Sequence, residues 1–262
     1  SAASNGNTGR GNGIVYDMFP KHVADALMKG GRAPEDRREC ATVLFCDIVG
    51  FTTLSSQLDT TQVSDMLDRL FIQFDDLATQ HGIHKLETIG DCYIGVSNLI
   101  EDQSHDHVAR MARFALGILE AAKATQIDLN DPSRGHVIVR VGFDSGPVVG
   151  NVVGTKHLKY TVFGNTVNTA SRMESTSLPG NVQCTQRSAE LLRTQDPTIR
   201  LVERGPMEIK GKGLMTTFFV RRDRGTRGSQ VSVASQTAAA GEAAPTEIGR
   251  EPTTLVLVED RQ

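Results

Sequence analysis

The segment ATVLFCD (41–47) limits the fold more than any other stretch of the chain. A nearly continuous apolar run that ends on a carboxylate has no polar face, so it reads as a central strand with both sides covered. The following residues supply the cover. From about Thr60 to Gln80 the apolar spacing becomes helical, with Val63, Met66, Leu67, Leu70, Phe71, Phe74 and Leu77 in one stripe. Asp59 with Gln62 forms a capping-box-like start, and Gly82 stands where such a helix stops. The stripe reads as core rather than as a cofactor site. KLETI and CYIGVSN then flank Gly90-Asp91, the pattern of a tight hairpin. A second amphipathic helix is expected at about 104–126, with Val108, Met111, Ala115, Ile118 and Ala122 on one face, and HVIVRVGFDSG (136–146) alternates like a half-buried strand. The order β-α-β-β-α-β predicts an α+β, ferredoxin-like sandwich with helices on one face of an antiparallel sheet. A helix near 166–176 and short strands towards 216–221 extend it.

The chain has 262 residues, 39% of them hydrophobic, which is enough for one substantial core but not clearly for two. A net charge of -3 removes any strong electrostatic case for nucleic acid or an anionic membrane surface. The four cysteines (Cys40, Cys46, Cys92, Cys184) show no C-x-x-C or zinc-finger spacing and fit free thiols in a reducing compartment such as the cytoplasm. No apolar run approaches the roughly 20 residues needed to span a bilayer, so a soluble fragment is expected, which a longer membrane-attached protein could also contain. Residues 1–13 read as a flexible leader: the glycines of GNTGRGNG follow no strand and open no helix, unlike a phosphate loop. Residues 14–37 read as a helical linker, 38–221 as the folded unit and 222–262, LVLV (255–258) included, as a disordered tail.

Two carboxylates carry the chemical interest. Asp47 ends the apolar strand and Asp91 sits in the hairpin turn. A carboxylate among such neighbours is costly without a cation. If the first strand pairs with the hairpin, the two acids converge at one edge of the sheet, where their repulsion is relieved by a divalent ion held through hard oxygens and substrate phosphates. Taken singly, each has a plain alternative, since Asp after Gly is ordinary turn chemistry and Asp at a strand end is often a cap. His105-Asp106-His107 reads as surface at a helix start, and no histidine pair has metalloprotease spacing. A Walker P-loop, a G-x-S-x-G elbow and a kinase lysine motif are all missing from the sequence.

FCDIVGFTTLSS, KLETIGDCYIG, KYTVFGNTVNTASRMES and IKGKG, in that order, resemble the class III adenylyl and guanylyl cyclases over about 38–221. YDMFPKHVADALMKGG is similar to the short helical linker that often precedes such catalytic domains. The resemblance implies two Mg²⁺ or Mn²⁺ ions between Asp47 and Asp91, assisted by the Ile48 carbonyl. One ion would lower the pKa of the ribose 3′-hydroxyl and the other would grip the terminal phosphates. It implies a phosphate cradle at Gly50, Phe51 and Thr52. Asn168 would orient the ribose and Arg172 would neutralise charge on the α-phosphate, the two being neighbours on one helical face. Lys210, in preference to Lys212, would reach the terminal phosphate.

In this family the two halves of the site meet only across a head-to-tail dimer. Because both halves are intact here, a homodimer with two equivalent sites is expected. Glu87 and Thr161 fall where the family reads the purine. A carboxylate accepts from guanine N1–H and N2–H₂ but repels adenine N1, whereas a hydroxyl serves either base, so GTP is favoured and ATP stays open. A catalytically silent, nucleotide-binding regulatory module is the remaining alternative. Such a module should lack a metal Asp or the Asn/Arg pair, and Asp47, Asp91, Asn168 and Arg172 are all present.

Overall fold

The alternation of strand and helix periods closes into one mixed sheet. The computed structural model describes residues 15–16 and 18–222; the expected leader (1–13), the tail beyond 222 and LVLV (255–258) lie outside the described residues. The strands are β1 (Asp36–Ile48), β2 (His84–Ile89), β3 (Cys92–Ser97), β4 (Val139–Val153), β5 (Lys159–Phe163), β6 (Val182–Thr185), β7 (Arg200–Ile209) and β8 (Gly213–Arg221). They lie in the order β2-β3-β1-β4-β6-β8-β7, with β5 folded back on the far half of β4. The helices are α1 (Lys21–Met28), α2 (Phe51–Gln57), α3 (Thr60–His81), α4 (His107–Ala124), α5 (Asn165–Ser175) and α6 (Gln186–Gln195).

As its sequence demands, β1 is an interior strand, paired with β3 on one side and β4 on the other. Its even-numbered residues Leu44, Cys46 and Ile48, with Val141 and Phe143 of β4, form a core with Met66, Leu70 and Phe74 of α3 and Met111, Phe114 and Ile118 of α4. Each such side chain contributes about 1.5–3 kcal/mol of hydrophobic stabilisation. The start of α3 is a complete capping box: the Asp59 carboxylate accepts from the Thr61 and Gln62 amides, and the Asp59 amide donates to Gln62 Oε1. Gly82 ends the helix in the left-handed conformation, at φ 65°.

The βαββαβ core is as expected, with β2, β3, β1 and β4 antiparallel and α3 and α4 packed together on one face, and two expectations are corrected only where the later elements are added. The sheet is not wholly antiparallel: β4 and β6 run parallel, because β5 and α5 form the crossover between them. Nor are all helices on one face. At Gly142, between core residues Val141 and Phe143, a Cβ would overlap the backbone of Met173 and Glu174. Side chains alternate along a strand, so α5 lies on the face opposite α3 and α4. A third correction concerns His107, which is 2% exposed instead of on the surface, with Nδ1 2.8 Å from Thr42 Oγ1. Thr42, Ser145 and Ser188 continue a buried hydroxyl chain, and partners within the core are what allow a histidine to sit there.

Candidate functional site

The acid pair forms at the end of β1. Cys46 opposes Tyr93 in β3, and Ile89 opposes Cys92 across the hairpin, so the Gly90-Asp91 turn lies beside Asp47 and Ile48. Gly90 takes φ 62°, which a tight turn needs and a Cβ resists. Asp91 is 9% exposed, and its Oδ2 is buried without a hydrogen-bond partner. Burial, followed by the neighbouring Asp47 carboxylate, pushes the Asp91 carboxyl up to about 7, with the Asp91 and Ile48 amides offsetting part of the effect.

Two side chains absent from the quoted motif roles complete this cluster. Arg140 lies opposite Asp47 in the β1–β4 register, and its Nη2 donates to Asp47 Oδ2 at 3.3 Å. Its Nε is 3.3 Å from Glu174 Oε1, close enough for an ion pair but not aligned for a hydrogen bond. Glu174 is 7% exposed, and burial, with Asp47 next, pushes its carboxyl up to about 8. One guanidinium therefore stands between two carboxylates and near a third. The sequence carried a signal for Arg140, a permanent charge inside the apolar strand HVIVRVGF, which requires an acidic partner. Glu174 had none beyond its position in RMES.

This donor set suits a divalent cation. Asp91 has an unused buried oxygen beside a second carboxylate, and both offer hard ligands. Among the described residues no group of three or more His, Cys, Asp or Glu is arranged to hold a metal. A cation here would take only two side-chain carboxylates and complete its shell elsewhere, as Mg²⁺ does with phosphates. The nearby Cys46 and Cys92 thiols are both pushed up by burial, so thiolate chemistry is disfavoured.

Gly50, with φ 70°, leads directly into α2, and a Cβ on it would meet nothing within 4 Å. Its requirement is therefore the left-handed backbone, not space within its own chain. Phe51 and Thr52 open that helix beside the acid pair.

α5 separates the expected site residues. Glu174 faces the acid cluster, whereas Arg172 lies about 160° and Asn168 about 120° from it around the helix, at 100° per residue. Asn168 is exposed and Arg172 partly so. Lys210 is exposed in the β7–β8 turn, while Lys212, the less favoured of the pair, donates to Asn165 Oδ1 of α5. Glu87 on β2 forms an ion pair with Lys159 on β5, and Thr161 lies two residues further along the same strand. Within one chain the acid pair and the Asn168–Arg172 face of α5 thus lie on different sides of that helix. A groove of about 730 Å³ flanks α5 on another side, lined by Asp144, Asn165, Thr169, Arg187 and Lys212, and includes neither the acid pair nor Asn168 and Arg172.

Residues 33–222 match the family model described as the adenylate and guanylate cyclase catalytic domain. The chain is 39% identical over 208 residues to the human guanylate cyclase soluble subunit beta-2, covering 79% of this chain and 33% of that protein. It is 38% identical over 207 residues to retinal guanylyl cyclase 1 of Rattus norvegicus, covering 79% of this chain and 18% of that one. The chain thus spans a third or less of these relatives. Among solved structures, the guanylate cyclase domain of RhGC from Catenaria anguillulae in complex with GTP superposes with a TM-score of 0.66 at 35% identity, covering 71% of this chain and 98% of that one. With the motifs in order on the expected elements and the family model spanning the described domain, the chain belongs to the adenylate and guanylate cyclase catalytic-domain family.

Proposed function

We propose that this domain converts GTP to the 3′,5′-cyclic monophosphate and pyrophosphate, at sites shared between two copies of the chain. The acid pair carries the reading: Asp47 and Asp91 converge at a strand end, and one buried Asp91 oxygen has no partner. Two divalent cations bound there would activate the ribose 3′-hydroxyl and hold the terminal phosphates. Asp47, Asp91 and the Ile48 carbonyl are the groups that would hold them. Gly50, Phe51 and Thr52 offer backbone amides to the phosphates, Asn168 positions the ribose, and Arg172 meets the charge that grows at the α-phosphate. Lys210 reaches towards the terminal phosphate, and Glu87 with Thr161 reads the base.

The two-chain arrangement has a geometric basis. Arg172 points away from its own acid cluster because Glu174, two residues on, occupies the side of α5 that faces it. A nucleotide held by its own chain's Asp47 and Asp91 could reach Arg172 only around the helix. A second copy docked head-to-tail can present that outer face directly, and symmetry then gives two equivalent sites.

The test is to incubate the purified chain with Mn²⁺ or Mg²⁺ and either GTP or ATP, and to identify the product chromatographically. Cyclic GMP formation that disappears in Asp47→Ala is expected. A linear product, or full activity in that variant, would sink the proposal. Glu87→Lys combined with Thr161→Asp should move the preference to ATP; an unchanged preference overturns the base assignment alone.

A further inference from the structure

Asp144 lines the groove beside α5, along β4 from the acid pair. Asp47 lies opposite Arg140 in the β1–β4 register, and Asp144 opposes Val43 further up the same strands. Asp144 is 8% exposed, and Thr185 Oγ1 donates to its Oδ1 at 2.6 Å. Among the described residues it forms no ion pair. Burial raises its pKa, and the Thr185 hydroxyl, the Ser145 amide, Arg187 and Lys212 offset part of the rise. A neutral side chain could accept from Thr185 equally well, so that hydrogen bond alone gives no reason for an acid at this depth.

Arg187 faces the same groove without closing on the carboxylate. A Cβ on Gly146 would come within 3.3 Å of Arg187 Nη1, so the guanidinium lies over Gly146, and its Nη2 is 4.0 Å from Cys40 Sγ. Gly146 is two residues beyond Asp144 on the same side of the strand, a separation of about 7 Å. Neither Asp144 nor Arg187 has an ion-pair partner among the described residues. Thr185, which holds Asp144, is also 3.3 Å from Ser188 Oγ, the end of the buried hydroxyl chain through Ser145 and Thr42 to His107. The carboxylate is therefore fixed before any ligand arrives.

The gap sets the size of an occupant. An ammonium on Asp144 and a carboxylate on Arg187, each at about 2.8 Å, leave room for little more than one carbon between the two charges. An α-amino acid has that spacing. The lining carries Arg37, Arg38, Arg187 and Lys212 against only Glu39 and Asp144, which favours a zwitterion with an additional negative charge. Lys212, donating to Asn165 Oδ1, supplies a second cation on the same lining, and the volume of about 730 Å³ is ample.

We propose that this groove binds an acidic α-amino acid: its ammonium meets Asp144, its α-carboxylate meets Arg187 and its side-chain carboxylate reaches Lys212. The site uses none of Asp47, Asp91, Asn168 or Arg172, so it stands or falls independently of the catalytic reading.

The experiment titrates L-glutamate, and separately glutarate, which lacks the amine, into the isotope-labelled full chain without divalent metal, and follows backbone amide shifts. L-glutamate should move the Gly146 and Arg187 amides, and glutarate should bind about tenfold more weakly, since it leaves Asp144 without a donor. Asp144→Asn keeps an oxygen for Thr185. It should weaken L-glutamate about tenfold and bring the two ligands within about twofold of each other. Arg187→Gln, on an exposed side chain, should weaken both ligands about tenfold and keeps the test open if Asp144→Asn fails to fold.

Shifts confined to Gly50 and Asp91, or no shift at all, remove the site. Glutarate binding as tightly as L-glutamate makes the groove a pocket for anions only. An unchanged L-glutamate affinity in folded Asp144→Asn leaves Asp144 as no more than an acceptor for Thr185, and an unchanged affinity in Arg187→Gln removes the carboxylate contact; each overturns the proposal.

Discussion

The two faces of α5 are built on opposite principles. Towards the sheet, Glu174 meets Arg140, and behind them lie Asp47 and Asp91, where three carboxylates share one guanidinium in a largely dry cluster. Away from the sheet, Asn168 is exposed and Arg172 partly exposed, and Arg172 forms no ion pair among the described residues. The inner cluster is electrostatically strained, with two carboxyls raised well above their ordinary range by burial and mutual repulsion. The outer face stores nothing. On the proposed function, a cation would relieve the unfavourable charge inside the fold, whereas Asn168 and Arg172 would meet substrate on the outer face.

The most direct way to break this contrast is at the acids. Asp91→Asn should reduce cyclase activity on the order of 10³-fold while leaving the metal-free protein as stable or more so, because a buried repulsion is relieved. A thermal melt without added metal, alongside the activity assay, checks both; a large loss of stability would mean that the cluster is a structural bridge. Arg172→Ala should also lose on the order of 10²–10³-fold in kcat, but with stability within about 0.5 kcal/mol of the parent. Mixing it with Asp47→Ala should restore up to about a quarter of parental activity, since a mixed dimer regains one intact site. Absence of any recovery, with mixed dimers demonstrated by native mass spectrometry, would place each site within one chain.

A smaller effect is expected where the two faces meet. Arg140→Met leaves Glu174 without its cation, which should cost about 2 kcal/mol of stability above pH 8, where that carboxyl is ionised, read by urea unfolding. The loss should shrink as pH falls through about 8 and Glu174 takes up its proton; a pH-independent loss would point to packing instead.

The smallest effect lies outside the site. Burial depresses the His107 pKa below that of the unfolded chain. The folded state therefore favours the neutral imidazole. Its contribution is fully present above the unfolded value of about 6.5 and is lost as pH falls towards the folded value. His107→Gln should flatten that acidic limb by about 1 kcal/mol or less, measured as the difference in unfolding free energy at two pH values.

Much of the scaffold was legible in local patterns because those patterns are themselves the cause. The apolar run of β1 needs cover on both sides, the stripe of α3 with its Asp59–Gln62 box needs no tertiary help to be recognised, and Gly90 marks a turn wherever it lies. Convergence of Asp47 with Asp91 also followed once β1 was paired with the hairpin, since strand register fixes what lies beside a turn. His107 was misread because its partner Thr42 lies 65 residues away, and nothing near a histidine in sequence reports a distant hydroxyl.

By itself, then, the sequence determined the strand and helix order, the caps, the turn chemistry and the identity of the acid pair, all of which arise from interactions between residues close along the chain or along paired strands. Only the tertiary structure decided which face α5 covers, that Arg140 and Glu174 stand beside the acids, and that Lys159 pairs with Glu87. The physical reason is the same in each case. These contacts join segments brought together by sheet closure, where a glycine without a side chain lets a helix approach and a curled hairpin carries a lysine across to another strand, and no local periodicity encodes either event.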